Sequence, residues 1–192
     1  MKQLKIWRSI VLAFTAMGVA GCSADSLTAP KFQSNPSAGL VTDLLGGLIQ
    51  KNVLERKTAL TKDITVAAVI GEKGGTLSIP AAGFTVTIPA GAVKAPTNFS
   101  VTALKGSLVA YEFGPHGIRF AKSLSARQDL NVTKWGLLSL RPLVAGYFAD
   151  KSALNLNNAT ALVSEVLSGV IAPLSQQFTF KIDHFSGYVV AW

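Results

Sequence analysis

From Ile64 onward, hydrophobic positions come in short runs broken by turn formers. The segments ITVAAVI, TLSIP, FTVTIP, FSVTAL, LVAYEF, IRF, DLNV, LVAGYF and QFTFKI alternate or cluster apolar residues over three to seven positions, with Gly, Pro or Asn between many of them. In FTVTIP, Phe84, Val86 and Ile88 share one face and Thr85 and Thr87 the other, the pattern of a strand with one side in a core. Gly74, Gly75 and Gly83 suit turns that need positive φ, and Pro80 and Pro89 suit ladder ends or edges. The spacing predicts an antiparallel β-sandwich over residues 64 to 192. Two stretches follow a period of four and predict helices. In GLVTDLLGGLIQKNVLERK, Leu40, Leu44 and Leu48 lie beside Val41, Leu45 and Ile49, giving a short amphipathic helix that packs on the domain or frays as linker, or else lies in a membrane interface. In NNATALVSEVLSGVIAP, Leu162, Val166 and Val170 lie beside Val163, Leu167 and Ile171, with Asn158 as cap and Pro173 as stop, so a helix is expected over 158 to 172, inserted before the final strands.

The N-terminus follows neither period. Lys2, Lys5 and Arg8 precede an apolar run from Ile10 to Ala20, too short to cross a bilayer and organised as a secretory signal. Its end, Val19-Ala20-Gly21-Cys22, resembles the lipobox of bacterial lipoproteins. That resemblance implies cleavage between Gly21 and Cys22, acylation of Cys22 and membrane anchoring in the cell envelope; with Ser23 next, the outer membrane is the expected destination. Cys22 is the only cysteine, so no intramolecular disulfide competes for its thiol. The chain therefore divides into a signal peptide (1 to 21), a lipidated tether with its short amphipathic segment (22 to 63) and a β domain (64 to 192). Losing Lys2, Lys5 and Arg8 with the signal leaves 15 basic against 10 acidic side chains, net +5. These charges are scattered without interleaved aromatics, so nucleic acid is not expected as a partner; anionic head groups are the more natural one.

The chemistry-bearing residues are few. Two histidines, His116 and His184, and no free thiol after acylation give no CxxC, HxH or HExxH spacing, so no metal site is expected. GxSxG, GxxxxGK and GxGxxG are absent, and with them the signals for a serine hydrolase, a phosphate loop or a dinucleotide cofactor. His116, in the turn Gly114-Pro115-His116-Gly117, reads as an exposed loop residue. The Asn-x-Ser/Thr triplets at Asn98, Asn131 and Asn158 read as coincidence in an exported bacterial protein.

Three blocks in order, GGTLSIPAAGFTVTIPAGAV (74 to 93), YEFGPHGIRFAKSL (111 to 124) and DHFSGYVV (183 to 190), resemble the ZU-five domain, the module shared by zonula occludens protein, netrin receptors and ankyrins. The resemblance implies a β-sandwich used in protein assembly, without a cofactor, and hence a non-enzymatic module that presents a surface to an envelope protein or carbohydrate. In the tail, Phe178, Phe180, Ile182, His184, Ser186, Tyr188, Val190 and Trp192 fall on one face of an extended chain, which its apolar members make the inner face. Some ZU-five domains, like a nuclear-pore autoprotease, carry His-Phe-Ser and cut their own chain before the serine. The resemblance thus implies an alternative, self-cleavage between Phe185 and Ser186 with His184 assisting the Ser186 hydroxyl. Gly187 stands where animal members often carry an aromatic residue.

Overall fold

A computed structural model describes residues 47–192 apart from positions 137, 138 and 140. The signal, Gly21, Cys22, Ser23 and the first half of the expected amphipathic segment lie outside the described residues. In chain order the strands are β1 (Ile49–Asn52), β2 (Glu55–Leu60), β3 (Ile64–Ile70), β4 (Gly75–Ile79), β5 (Phe84–Ile88), β6 (Thr97–Ala103), β7 (Gly106–Leu108) and β8 (Ala110–Gly114). They continue with β9 (Arg119–Asp129), β10 (Val144–Phe148), β11 (Leu154–Asn155), β12 (Thr160–Val163), β13 (Glu165–Ala172), β14 (Gln177–His184) and β15 (Gly187–Ala191). Pairing is antiparallel throughout, as the short apolar runs predict. DLNV is the exception among those runs, its Leu130–Val132 being a 3-10 turn capped by the Asp129 carboxylate on the Asn131 amide.

Ten strands form one sheet in the order β3-β6-β8-β15-β10-β13-β14-β9-β5-β4, which curls on itself into a near-barrel. Its inner face carries the main core, and the alternation expected for FTVTI holds: Phe84, Val86 and Ile88 are each at most 1% exposed. Gly74 makes the turn between β3 and β4 at φ +75°, where a Cβ would lie 2.3 Å from the Ile88 carbonyl. A second apolar cluster lies behind β15, where Val189 and Ala191 meet Val53, Leu108, Phe148, Ala161 and Val163. The small sheet β1-β12-β11 contributes Ala161 and Val163 to it.

Both expected helices are strands where the structure describes them. Residues 49 to 60 form β1 and β2, and 160 to 172 form β12 and β13. A period of four is twice the strand period of two, so residues four apart share a face in either conformation. Thr160, Val163, Val166, Val170 and Ile171 are β-branched and Gly169 is a poor helix former, which tips the second segment to strand. In β13 the odd positions Leu167 and Ile171 pack toward the core while Val166 and Val170 face out, Val170 at 72% exposure. The folded strands accordingly begin before the expected boundary at Ile64. Val53 and Leu54 are buried, and the Leu54 amide and carbonyl join Val190 O and the Val109 amide, so the folded unit includes residues before Ile64.

Candidate functional site

The His-Phe-Ser segment occupies the point where the chain passes from one half of the sheet to the other. β14 pairs with β9 and β13, β15 with β8 and β10, and residues 185 and 186 link them. β13 makes the matching change of partner: Gly169–Ala172 pair with β14, whereas Glu165–Ser168 pair with β10. Beyond the pair Gly169 and Phe180 the two strands part, and the sheet forks.

The even-residue inner face expected along the tail is interrupted at this fork. Phe178, Phe180, Ile182, Tyr188 and Val190 do line the main core, with Trp192 partly buried against it. Phe185, of the opposite parity, is buried in the same core, stacked on Phe113 at 5.0 Å and edge-on to Phe120 at 4.8 Å and Phe99 at 5.3 Å. A register shift between Ile182 and His184 accompanies the change. Gly187 follows with the Phe148 ring against it, where a Cβ would fall 2.2 Å from a ring carbon, so no side chain fits at this position.

The structure brings His184 and Ser186 to one cleft but not into contact through a hydrogen bond. His184 Nε2 lies 3.1 Å from Glu165 Oε2, and its Nδ1 lies 3.4 Å from the Tyr188 hydroxyl. Tyr188 donates to the His184 carbonyl at 2.8 Å, capping a backbone group at the fork. Burial first, and then the negative charge of Glu165, holds the Tyr188 phenol well above its ordinary range. The Ser186 hydroxyl donates instead to Phe148 O, at 3.4 Å. The peptide between Phe185 and Ser186 is held on both sides: the Phe185 amide donates to Ile118 O at 3.1 Å, its carbonyl accepts from the Gly117 amide at 3.3 Å, and Ser186 O accepts from the Phe113 amide at 2.9 Å.

The cleft measures about 600 Å³. One wall is the β10 and β13 side, with Tyr147, Ser164 and Glu165; the other is the β9 and β14 side, with Arg119 and His184, and His116 and Gly117 from the preceding turn. The Tyr147 ring meets His184 edge-on at 4.8 Å. His116 is exposed, as its turn implies, and it belongs to this cleft although 68 residues separate it from His184 in sequence. Among the described residues no group of three or more His, Cys, Asp or Glu side chains is arranged to hold a metal ion.

Sequence reasoning missed Glu165 and Arg119. Glu165 fell inside an expected helix, which hid its pairing with Tyr147; Arg119 is the register partner of His184, a relation only strand pairing reveals. It also missed Arg56, whose parity with Leu54 was the one available signal. Arg56 is 2% exposed and donates to the carbonyls of Leu104, Gly106, Leu108 and Ala110. No family model matches the chain, and no curated protein does.

Proposed function

We propose that this protein is a lipid-anchored module of the bacterial envelope that holds another envelope component in the cleft at the sheet fork. The observation that carries the reading is the cleft itself. His116 and Arg119 from one turn-and-strand segment, Glu165 from β13 and His184 from β14 come from three separate parts of the sequence and converge on one opening, which alone among the described cavities gathers histidines with an arginine and a carboxylate. The lipobox resemblance at Val19 to Cys22 supports the anchor, and the three blocks resembling a ZU-five domain support assembly over multiple-turnover catalysis. A photo-crosslinking residue placed at Ser164, on the cleft wall, should give one discrete adduct in intact envelopes, while the same residue at Ser78, on β4, gives none. Equal labelling from both positions, or no adduct from Ser164, contradicts the reading.

A second reading, self-cleavage, is favoured by one contact, the Gly117 amide on the Phe185 carbonyl. Attack of Ser186 Oγ on that carbonyl would place developing negative charge on an oxygen already facing a donor. The peptide nitrogen leaves as the Ser186 amine, an ester links Phe185 to Ser186 Oγ, and water splits it to a Phe185 carboxylate and the free hydroxyl. Against it stand the Ser186 hydroxyl engaged with Phe148 O and the His184 ring engaged with Glu165. Hydroxylamine, which cuts esters, should release residues 186 to 192 from the parent and not from Ser186→Ala if this chemistry operates; no release from either contradicts it.

A further inference from the structure

The lining of the fork cleft specifies a ligand class, and the inference rests on reading this cleft as the recognition site. We infer that it binds a sugar carrying a carboxylate. Arg119 stands exposed at the start of β9 and makes no ion pair among the described residues, so its planar fork of donors is available for a bidentate carboxylate contact. His116 lies beside it on the same rim. Across the cleft, Glu165 uses one carboxylate oxygen on His184 and keeps the other, and Ser164 adds a hydroxyl. Such acceptors suit the hydroxyl groups of a sugar ring.

The anion is a monoanion for a physical reason. A phosphate dianion seated on Arg119 would face the Glu165 carboxylate on the opposite wall, whereas a single carboxylate is matched by the single guanidinium. The Tyr147 ring, braced edge-on by His184, offers an aromatic wall. No aliphatic side chain lines the cleft, which argues against an acyl chain as occupant. The volume of about 600 Å³ falls inside the roughly 300 to 1,000 Å³ range of small-molecule sites.

Titration calorimetry on the full chain in detergent tests this with three probes: glucuronate, glucose and trialanine, whose free C-terminus supplies a carboxylate without a sugar ring. Glucuronate should bind saturably at one site, about ten-fold or more tighter than either of the others, and Arg119→Gln should weaken it by at least about ten-fold. Retained thermal unfolding in Arg119→Gln shows that the loss is local, since the side chain is exposed. Glucose binding as tightly as glucuronate overturns the role of the charge; trialanine binding as tightly overturns the sugar in favour of a peptide end. An unchanged Arg119→Gln overturns the assignment of Arg119. A discrete adduct from Ser164 with no glucuronate binding overturns the sugar ligand and leaves the envelope-module reading standing, whereas loss of the adduct overturns both.

Discussion

Arg56 is a cation buried without a carboxylate in contact among the described residues. Four backbone carbonyls from Leu104 to Ala110 surround its guanidinium, and Tyr111 lies under it with the ring centroid 5.5 Å from Cζ. Those carbonyls sit on the turn, β7 and the start of β8, so one side chain fastens β2 to the segment it crosses. Arg56→Met keeps much of the volume but removes the donors these carbonyls accept from, at about 1 to 3 kcal/mol for each group left buried without a partner, while the Ala110 carbonyl keeps the Leu104 amide. Urea unfolding should show a loss of about 3 kcal/mol or more, against less than about 0.5 kcal/mol for the exposed neighbour in Lys57→Ala. Tyr111 gives the pH signature of the same place. Burial, opposed by the Arg56 charge, pushes its phenol up from 10.0 to about 12, and its hydroxyl donates to Gln128 Oε1 at 2.5 Å. The unfolded chain loses this proton near pH 10 and the folded chain holds it, so the stabilisation is complete below pH 10 and is lost as pH rises toward about 12. Unfolding free energy measured over that interval should fall with pH, and Tyr111→Phe should reduce the slope; an identical slope in the variant contradicts the assignment.

At the scale of elements, the N-terminal strands are part of the body and not a tether. A chain beginning at Lys62 loses β1 and β2 and with them Val53, Leu54 and Arg56, all at most 2% exposed. Each apolar side chain contributes about 1.5 to 3 kcal/mol by burial, and β15 is uncovered on one side. Such a chain should aggregate, or unfold at clearly lower urea than one beginning at Gly47, the first described residue; equal midpoints contradict the placement of β1 and β2. The same strands show where sequence reading stops. Alternation in FTVTI and the apolar runs of β3, β6 and β14 made the antiparallel class legible, because a half-buried strand writes its faces into every second residue. β12 and β13 were not legible as strands, because Leu162, Val166 and Val170 fit both periods and pairing with distant strands decided between them. The site was legible in part: His184 and Ser186 could be singled out by type and spacing, but their partners Glu165 and Phe148 come from β13 and β10, and no local pattern joins them.

Across the whole molecule, the tail is held too firmly for its fate to be visible by size. β15 lies between β8 and β10 with Tyr188, Val189, Val190 and Ala191 fully buried, so residues 186 to 192 would stay in place even if the chain were cut before them. At the fork, the Ser186 hydroxyl is engaged with Phe148 O and His184 with Glu165. Whether the protein is acylated and keeps its tail is read from the intact mass of the membrane-extracted protein after full denaturation. An acylated module that does not process itself should give one species running from Cys22 to Trp192, carrying acyl chains on Cys22 and retaining Ser186 to Trp192. A mass lacking that heptapeptide, or a chain with the signal still attached and a free Cys22 thiol, would contradict it.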